Sequence, residues 1–401
     1  VGSGLGWLAL VLGADASTVP DMTVAEAYPL YSAYANPHFP LAIGCLALLA
    51  AAYIRVFRID FNEEPSVANG GLEVVILTLV MALVLPQALI PFGGALVVYL
   101  AVCALKSRGI PVLELRWIAM VVLPTALMAA YYGVVLWSND KMRDVWLGQV
   151  DAPSAHPVLI VLGYGLLLFT AIPGLVRALR RFEQDGDQLM LIWLVVNFVV
   201  VFIPFNQQRR LMTGLIIPVA FFAVRSLEDY WLSLIKSDRL RYIAMLALFV
   251  FIMPSNVLAL GLPLFGLVNP EAGIELRLMV ERGYWEAMGW LSQNGKPDDV
   301  VLSSPNVGLW IPAWAGKRVV YGHPWETLDA ATKLAQVERW YQGRDCDGLL
   351  SRYGVRYVLV GPQERAISAG NVRGDACYAS LEESASRVVD FTDVTLYELG
   401  N

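Results

Sequence analysis

The stretch "IPFNQQRR", residues 203–210, places two arginines, two glutamines and an asparagine in a turn between the apolar runs "LMLIWLVVNFVVVF" and "LMTGLIIPVAFFAV". A turn between two greasy segments needs polarity, but adjacent guanidiniums supply more than that. Each stays protonated and presents parallel N–H donors that match the oxygens of a phosphate or carboxylate. Arg209 and Arg210, with Gln207, Gln208 and Asn206 as further donors, therefore form a candidate anion-binding turn. The simpler reading is that both arginines reach out to anionic headgroups.

A second polar cluster is "GHPWETLD", residues 322–329, which joins His323, Trp325, Glu326 and Asp329. On a helix, carboxylates three apart share a face where they could hold a sugar hydroxyl or an ion, and Trp325 offers a flat surface for a pyranose. The competing reading is a helix start, with Thr327 or a neighbour as cap and the acids complementing the helix dipole. The preceding "NVGLWIPAWAGKR" adds Trp310, Trp314, Lys317 and Arg318, which also fit a core helix and its solvated end. The three histidines, His38, His156 and His323, show no pair at metal-ligand spacing, so no metal site is assigned. No cofactor is implied with certainty; a divalent cation held by carboxylates stays open. Asp140 and Asp144, flanking Lys141 and Arg143, read as a solvated charge cluster.

The elements that must position these groups are membrane spans. Hydrophobic residues make up 57% of the chain and charged residues 16%, well under the roughly 25% charge of soluble domains. With a net charge of -6 there is no basic footprint, and no nucleic-acid partner is implied. A span needs about 20 apolar residues, and eight segments approach that length: 39–57, 71–90, 91–105, 113–137, 157–176, 188–204, 211–227 and 242–264. The first run, "GSGLGWLALVLG", is too short to cross. Val1 is expected to lie inside a truncated helix, with earlier spans missing.

Orientation follows from Lys and Arg in short loops. One set holds Arg55, Arg58, Lys106, Arg108, Arg177, Arg180, Arg181, Arg225, Lys236, Arg239 and Arg241; the other holds only Lys141, Arg143, Arg209 and Arg210. The first set is expected in the cytoplasm, which places residues beyond about 264, and the two polar clusters, outside. There the pattern turns soluble: "YWEAMGWLSQN" and residues 329–341 have helical spacing, while "DDVVLSS", "VRYVLVGP" and "DVTLYELG" read as strands. Cys346 and Cys377 would meet an oxidising compartment and are either a disulfide or two buried thiols; Cys45 and Cys103 lie within spans. The fold expected is mainly α, a polytopic helix bundle of about eight full spans plus a truncated one over residues 1–264. A small extracytoplasmic α/β domain follows over 265–401.

Several segments carry a family resemblance: "LGWL", "NPHFPLAI", "FNQQRRLMTGLIIPVA", "IPAWAGKRVVYGHPWETLD" and "LLSRYGVRYVLVGPQER". Together they resemble bacterial membrane glycosyltransferases of the GT-C superfamily, in the branch related to protein mannosyltransferases and aminoarabinose transferases. The resemblance implies an inner-membrane enzyme that takes a hexosyl or pentosyl group from a polyprenyl-phosphate donor. The acceptor, on the extracytoplasmic side, is a glycan, lipid or protein left unnamed. It implies an acidic base in the first exterior loop, a part expected to be missing here, so that the fragment may lack its catalytic base. His38 and Glu26, in the tyrosine-rich "DMTVAEAYPLYSAYANPHF", are the candidates left for orienting or deprotonating an acceptor hydroxyl. The leaving phosphate would need a fixed counter-ion at the membrane boundary, and Arg209 and Arg210 supply one. The alternatives are a transporter or flippase for a lipid-linked or small polar substrate, and a non-catalytic assembly subunit. Pro86, Pro91 and Pro124 interrupt spans as a transporter requires, but Gln87 is the only strongly polar residue near those breaks and the halves show no repeat.

Overall fold

The computed structural model describes residues 4–13, 19–57, 67–149, 152–183, 186–204, 206–275, 278–344, 346, 348–369 and 377–400; Val1 and Arg58 lie outside the described residues, and the described part of the first apolar run forms a short helix, Gly6–Val11. Contacts divide the chain into two compact units, residues 1–139 with 151–261, and residues 140–150 with 262–401.

The first unit is built on apolar helices α1 (His38–Phe57), α2 (Val67–Val84), α3 (Leu89–Ser107), α4 (Val112–Ser138), α5 (Pro157–Arg181), α6 (Asp187–Val200), α7 (Ile216–Ser226) and α8 (Asp238–Val268). Each expected span overlaps one of these helices, but the eight are not all full spans: among the described residues six stretches are long and apolar enough to cross a membrane, His38–Phe57, Pro86–Ser107, Val112–Ser138, Pro157–Arg181, Gln208–Trp231 and Asp238–Val268. Gly70–Val84 and Asp187–Val200 are shorter. Large apolar side chains such as Leu72, Leu105, Leu127 and Trp137 point outward, as a lipid-facing surface requires. This is a multi-pass membrane protein.

The break between the second and third spans falls at Leu85 and the short turn Pro86–Ala88, not between residues 90 and 91. Pro86 lacks the N–H that would continue α2, whereas Pro91 sits in the first turn of α3, where no intrahelical acceptor is lost.

Helices α5 and α7 cross closely because Gly174 has no side chain. A Cβ there would come within 2.6 Å of Ser226 Oγ and 2.9 Å of Phe222 O. The Gly174 amide instead donates to Ser226 Oγ at 2.6 Å, and that hydroxyl donates to Ala171 O at 3.2 Å. One turn further, the buried Asp187 at the start of α6 accepts from Arg177 of α5 at 3.1 Å and from Arg225 of α7 at 2.6 Å. Three helices are therefore tied by one carboxylate that is only 2% exposed. Removing a partner from such a cluster leaves an uncompensated buried charge.

The second unit carries a five-stranded sheet in the order β2-β1-β3-β5-β4, built from β1 (Val300–Leu302), β2 (Arg318–Val319), β3 (Val355–Val360), β4 (Ala385–Asp390) and β5 (Thr395–Leu399). β1 runs parallel to β2 and β3, while β5 is antiparallel to β3 and β4. The central β3 has almost every residue buried, as its unbroken "VRYVLV" demands. Helix α9 (Arg282–Asn294) packs Tyr284, Ala287, Met288 and Leu291 into one core, and α10 (Ala330–Tyr341) packs Val337, Trp340 and Tyr341 into another.

Cys346 and Cys377 are joined in a disulfide with a Cα–Cα distance of 5.1 Å. The fully buried Glu364 is satisfied by the Ser304 amide at 2.6 Å, the Gly361 amide at 2.9 Å and the Tyr284 hydroxyl at 2.5 Å. Burial, then the Glu364 charge, drives the Tyr284 phenol far above its ordinary value.

Two outcomes follow from these buried charges. Asp187→Ala should lower stability by about 3–5 kcal/mol, read as a drop in the thermal midpoint of the purified protein in detergent. Tyr284 is neutral in the fold and its raised pKa makes its contribution complete below the unfolded value. The second unit should therefore lose stability as pH climbs above about 10. Tyr284→Phe should flatten that loss in a pH series of melts, with the residual slope carried by Tyr341, which burial also pushes up.

Candidate functional site

The site begins with a segment that does not behave as a loose loop. Residues 20–23 and 29–35 form short helices, and the turn between them is buried: Val24, Glu26, Ala27 and Tyr28 are each under 5% exposed. The chain can sit there because α5 opens to receive it. At Gly163 a Cβ would fall 1.9 Å from the Tyr28 hydroxyl oxygen, and Gly165 takes φ +27° where a Cβ would press on Leu5. Between them Tyr164 donates to Ala27 O at 3.1 Å, and its ring lies 5.2 Å from that of Tyr28. Leu5 N donates to Leu162 O at 3.2 Å, using a carbonyl at the kink. Asp21, also buried, accepts from the Gly4 and Gly6 amides at 3.3 and 3.2 Å. Burial pushes its carboxyl above the ordinary range, while the Ser255 hydroxyl and the two amides pull it back. An apolar cluster of Val24, Tyr28, Ile160, Tyr164, Leu211 and Ile216 underlies the whole arrangement.

On that floor lie Glu26 and the arginine turn. Glu26 Oε1 accepts from Arg209 Nε at 3.1 Å, with the carboxylate side chain only 3% exposed and the guanidinium 27%. Glu26 Oε2 is buried and finds no hydrogen-bond partner among the described residues. Arg210 is half-buried, feels Glu26 and Arg209 electrostatically, and pairs with no carboxylate among the described residues. His38, at the start of α1, lies within electrostatic reach of Arg210 and Glu26, and its ring rests 4.3 Å from that of Phe39. Tyr31 joins the same cluster: burial raises its phenol, Arg209 lowers it and Glu26 raises it again. Among the described residues, charge, a carboxylate oxygen without a donor and a guanidinium without a carboxylate thus meet at one half-buried place.

The amides of the turn have a different task. Gln208 Oε1 accepts from the Ser154 amide at 3.1 Å and its Nε2 donates to Ile203 O at 2.8 Å. The Gln207 carbonyl accepts from Gln87 Nε2 at 3.3 Å, which ties the turn to the Pro86 break. Backbone bonds Ala152 N to Asn206 O, 2.7 Å, and Arg209 N to Ala152 O, 3.0 Å, complete the frame. Of the residues expected to contact a phosphate, Gln208 donates to the protein itself, Gln207 uses its side-chain carbonyl on Gln87, Arg209 is held by Glu26, and Arg210 pairs with no carboxylate among the described residues.

The "GHPWETLD" residues belong to the second unit and separate from one another. Residues 323–329 are a succession of turns, not a helix, because Pro324 interrupts one end and Asp329 takes a left-handed φ of +55° as the residue before α10. Glu326 and Asp329 therefore share no helix face. Within this unit Trp325 and Asp329 line a cavity of about 830 Å³ together with Lys141, Asp144, Lys333 and Tyr353, whereas His323 and Glu326 do not. Lys141 and Asp144, read from sequence as a solvated cluster, thus form part of a wall. His323 accepts from the Trp325 amide at its Nδ1, 3.2 Å, and its ring meets the indole edge-on at 5.7 Å. His156 does likewise at the start of α5, accepting from the Val158 amide at 3.3 Å. Among the described residues no three His, Cys, Asp or Glu side chains group closely enough to hold a metal ion. Tyr31 and the Gly163-Tyr164-Gly165 kink are parts of the first site that the sequence reading passed over; two glycines flanking a tyrosine inside an apolar span were the available signal.

No protein-family model and no curated protein sequence matches the chain. Among solved structures it is similar to the Archaeoglobus fulgidus oligosaccharyltransferase tethered with an acceptor peptide containing the NVT sequon. Identity is 13% and the TM-score 0.43, over 88% of this chain and 54% of that one. The apo form of the same protein gives 12% identity and a TM-score of 0.44, over 86% of this chain and 54% of the other. The chain thus spans about half the length of that protein. A likeness of this size assigns no family to the chain.

Proposed function

We propose that this multi-pass chain is a membrane glycosyltransferase. It would take a sugar from a polyprenyl-phosphate donor and attach it to an acceptor hydroxyl on the extracytoplasmic side of a bacterial inner membrane. The observation that carries the reading is the division of labour at the first site. Arg209 holds one oxygen of buried Glu26, the other oxygen has no partner among the described residues, and Arg210 stands beside them without a carboxylate. The resemblance of "FNQQRRLMTGLIIPVA" and "NPHFPLAI" to GT-C glycosyltransferases supplies the reaction class.

In this reading the acceptor hydroxyl gives its proton to Glu26 Oε2 as its oxygen bonds to the anomeric carbon. The bond from that carbon to the phosphate oxygen breaks, and the electron pair leaves on the polyprenyl phosphate. Negative charge grows on the phosphate during the step, and a preplaced guanidinium in a poorly solvated position stabilises it most where it develops. Arg210 is the group for that role. Arg209 fixes the orientation of the Glu26 carboxylate, and His38 and Tyr31 lie close enough to position hydroxyls. In the second unit, the cavity with the Trp325 indole, Asp329 and Lys333 on its wall has the aromatic and polar lining suited to a sugar.

Sugar transfer from a polyprenyl-phosphate donor by the protein in proteoliposomes tests the assignment. Arg210→Gln should lower kcat by about 10²- to 10³-fold, and Glu26→Gln by about 10²- to 10⁴-fold. Arg318→Gln, an exposed change in the second unit, should leave the rate alone. Unchanged turnover in both site variants would remove the mechanism. Substrate flux across sealed vesicles with no glycosidic product would point to the transporter instead.

A further inference from the structure

Helix α5, whose kink receives Tyr28, ends in another basic group. Arg177, Arg180 and Arg181 close α5, and with Pro173, Val176 and Tyr230 they line a cavity of about 490 Å³. Tyr230 belongs to the Gln208–Trp231 span that begins at the Arg209 turn, so this cavity lies at the other end of that span. It sits on the face that the charge count assigns to the cytoplasm.

The three guanidiniums are not equivalent. Arg177 is engaged by buried Asp187 at 3.1 Å and by Asp229. Arg180 and Arg181 are exposed, and neither has a carboxylate partner among the described residues. Below them the wall is hydrocarbon: Ile172 is 49% and Val176 40% exposed, both on the outward face of a membrane-length helix. Tyr230, half exposed, presents a ring with a polar tip at the level where such side chains sit in bilayers. Two cations without a carboxylate partner among the described residues, above an apolar wall, fit a ligand with an anionic head and a hydrocarbon tail. A free anion would use the cations and leave the wall bare.

We propose that this cavity binds an acidic phospholipid, with its phosphate on Arg180 and Arg181 and its first methylenes against Ile172 and Val176. The proposal is independent of sugar transfer and stands whether or not the chain is a transferase. A zwitterionic choline lipid is disfavoured because its ammonium would face the same two cations. The competing explanation is that Arg180 and Arg181 only offset the negative end of the α5 dipole, and it makes a different prediction.

The test is titration of the purified full chain in neutral detergent with fluorescent phosphatidylglycerol and fluorescent phosphatidylcholine. Phosphatidylglycerol should bind about tenfold more tightly or better. The Arg180→Gln, Arg181→Gln double variant should lose that preference with its melting midpoint retained, and the matching double Lys variant should keep most of it. Equal binding of the two lipids overturns the proposal, as does a Gln pair that lowers the melting midpoint while keeping the preference. Displacement of the labelled lipid by millimolar inorganic phosphate at constant ionic strength also overturns it, since the site would then read a free anion.

Discussion

A carboxylate taken out of water must be paired or hydrogen-bonded, and the first unit is arranged around the way it meets that demand at Glu26. The partner, Arg209, comes from a turn more than 180 residues away in sequence, so the pair closes only when several other elements are in place. The Gly163-Tyr164-Gly165 kink must open α5 to admit Tyr28. Ala152 must bond the turn backbone on both sides, and Gln87 must meet Gln207. Asn197, fully buried on α6, donates to Leu211 O at 2.8 Å and so fixes the chain just after the arginines. Packing and hydrogen bonding thus deliver one ion pair, and the ion pair leaves one oxygen and one neighbouring guanidinium open.

Two other buried acids, Asp187 and Glu364, meet the same demand differently, whereas buried Asp21 resembles Glu26 in keeping one oxygen, Oδ1, without a hydrogen-bond partner among the described residues. Asp187 is held by two arginines from two helices, and Glu364 by two amides and a phenol. Both bond through each of their oxygens and read as supports of the fold. Glu26 keeps a buried oxygen without a partner among the described residues, and what separates it from Asp21 is the pair of guanidiniums, Arg209 and Arg210, beside it. A group that carries the cost of burial without being fully satisfied is where function is expected to reside, because an oxygen with no protein donor on it is open to a substrate's proton.

Much of this was legible in the chain, for physical reasons. Runs of apolar residues declare themselves by composition, but of the eight expected full spans six are helices long enough to cross among the described residues, and Gly70–Val84 and Asp187–Val200 fall short. The strands at Val300–Leu302, Val355–Val360 and Thr395–Leu399 declare themselves by buried or alternating patterns, whereas β2, two residues long, and the largely exposed β4 carry too little of either. The arginine turn stood out because charge between spans is rare. The pairing of Arg209 with Glu26 did not, since ion pairs over such separations leave no periodic trace. The spacing of Glu326 and Asp329 misled because a three-residue interval has meaning only on a helix, and Pro324 with the left-handed Asp329 replaces the helix by turns. The bonds of Gln208 to Ser154 and Ile203 and of Gln207 to Gln87 were not legible, because a sequence shows a side chain's capacity for hydrogen bonds and not the neighbours that use it.

The central claim is that Glu26 and Arg209 are coupled as a pair, and a double-mutant cycle measures that coupling without any assumption about the reaction. The thermal or chemical stability of the parent protein, Glu26→Gln, Arg209→Gln and the double variant should give an interaction energy of about 1–3 kcal/mol, with the double variant less damaged than the sum of the two. Additive losses would show that the carboxylate and the guanidinium do not act on one another, and the account of the site would fail with them.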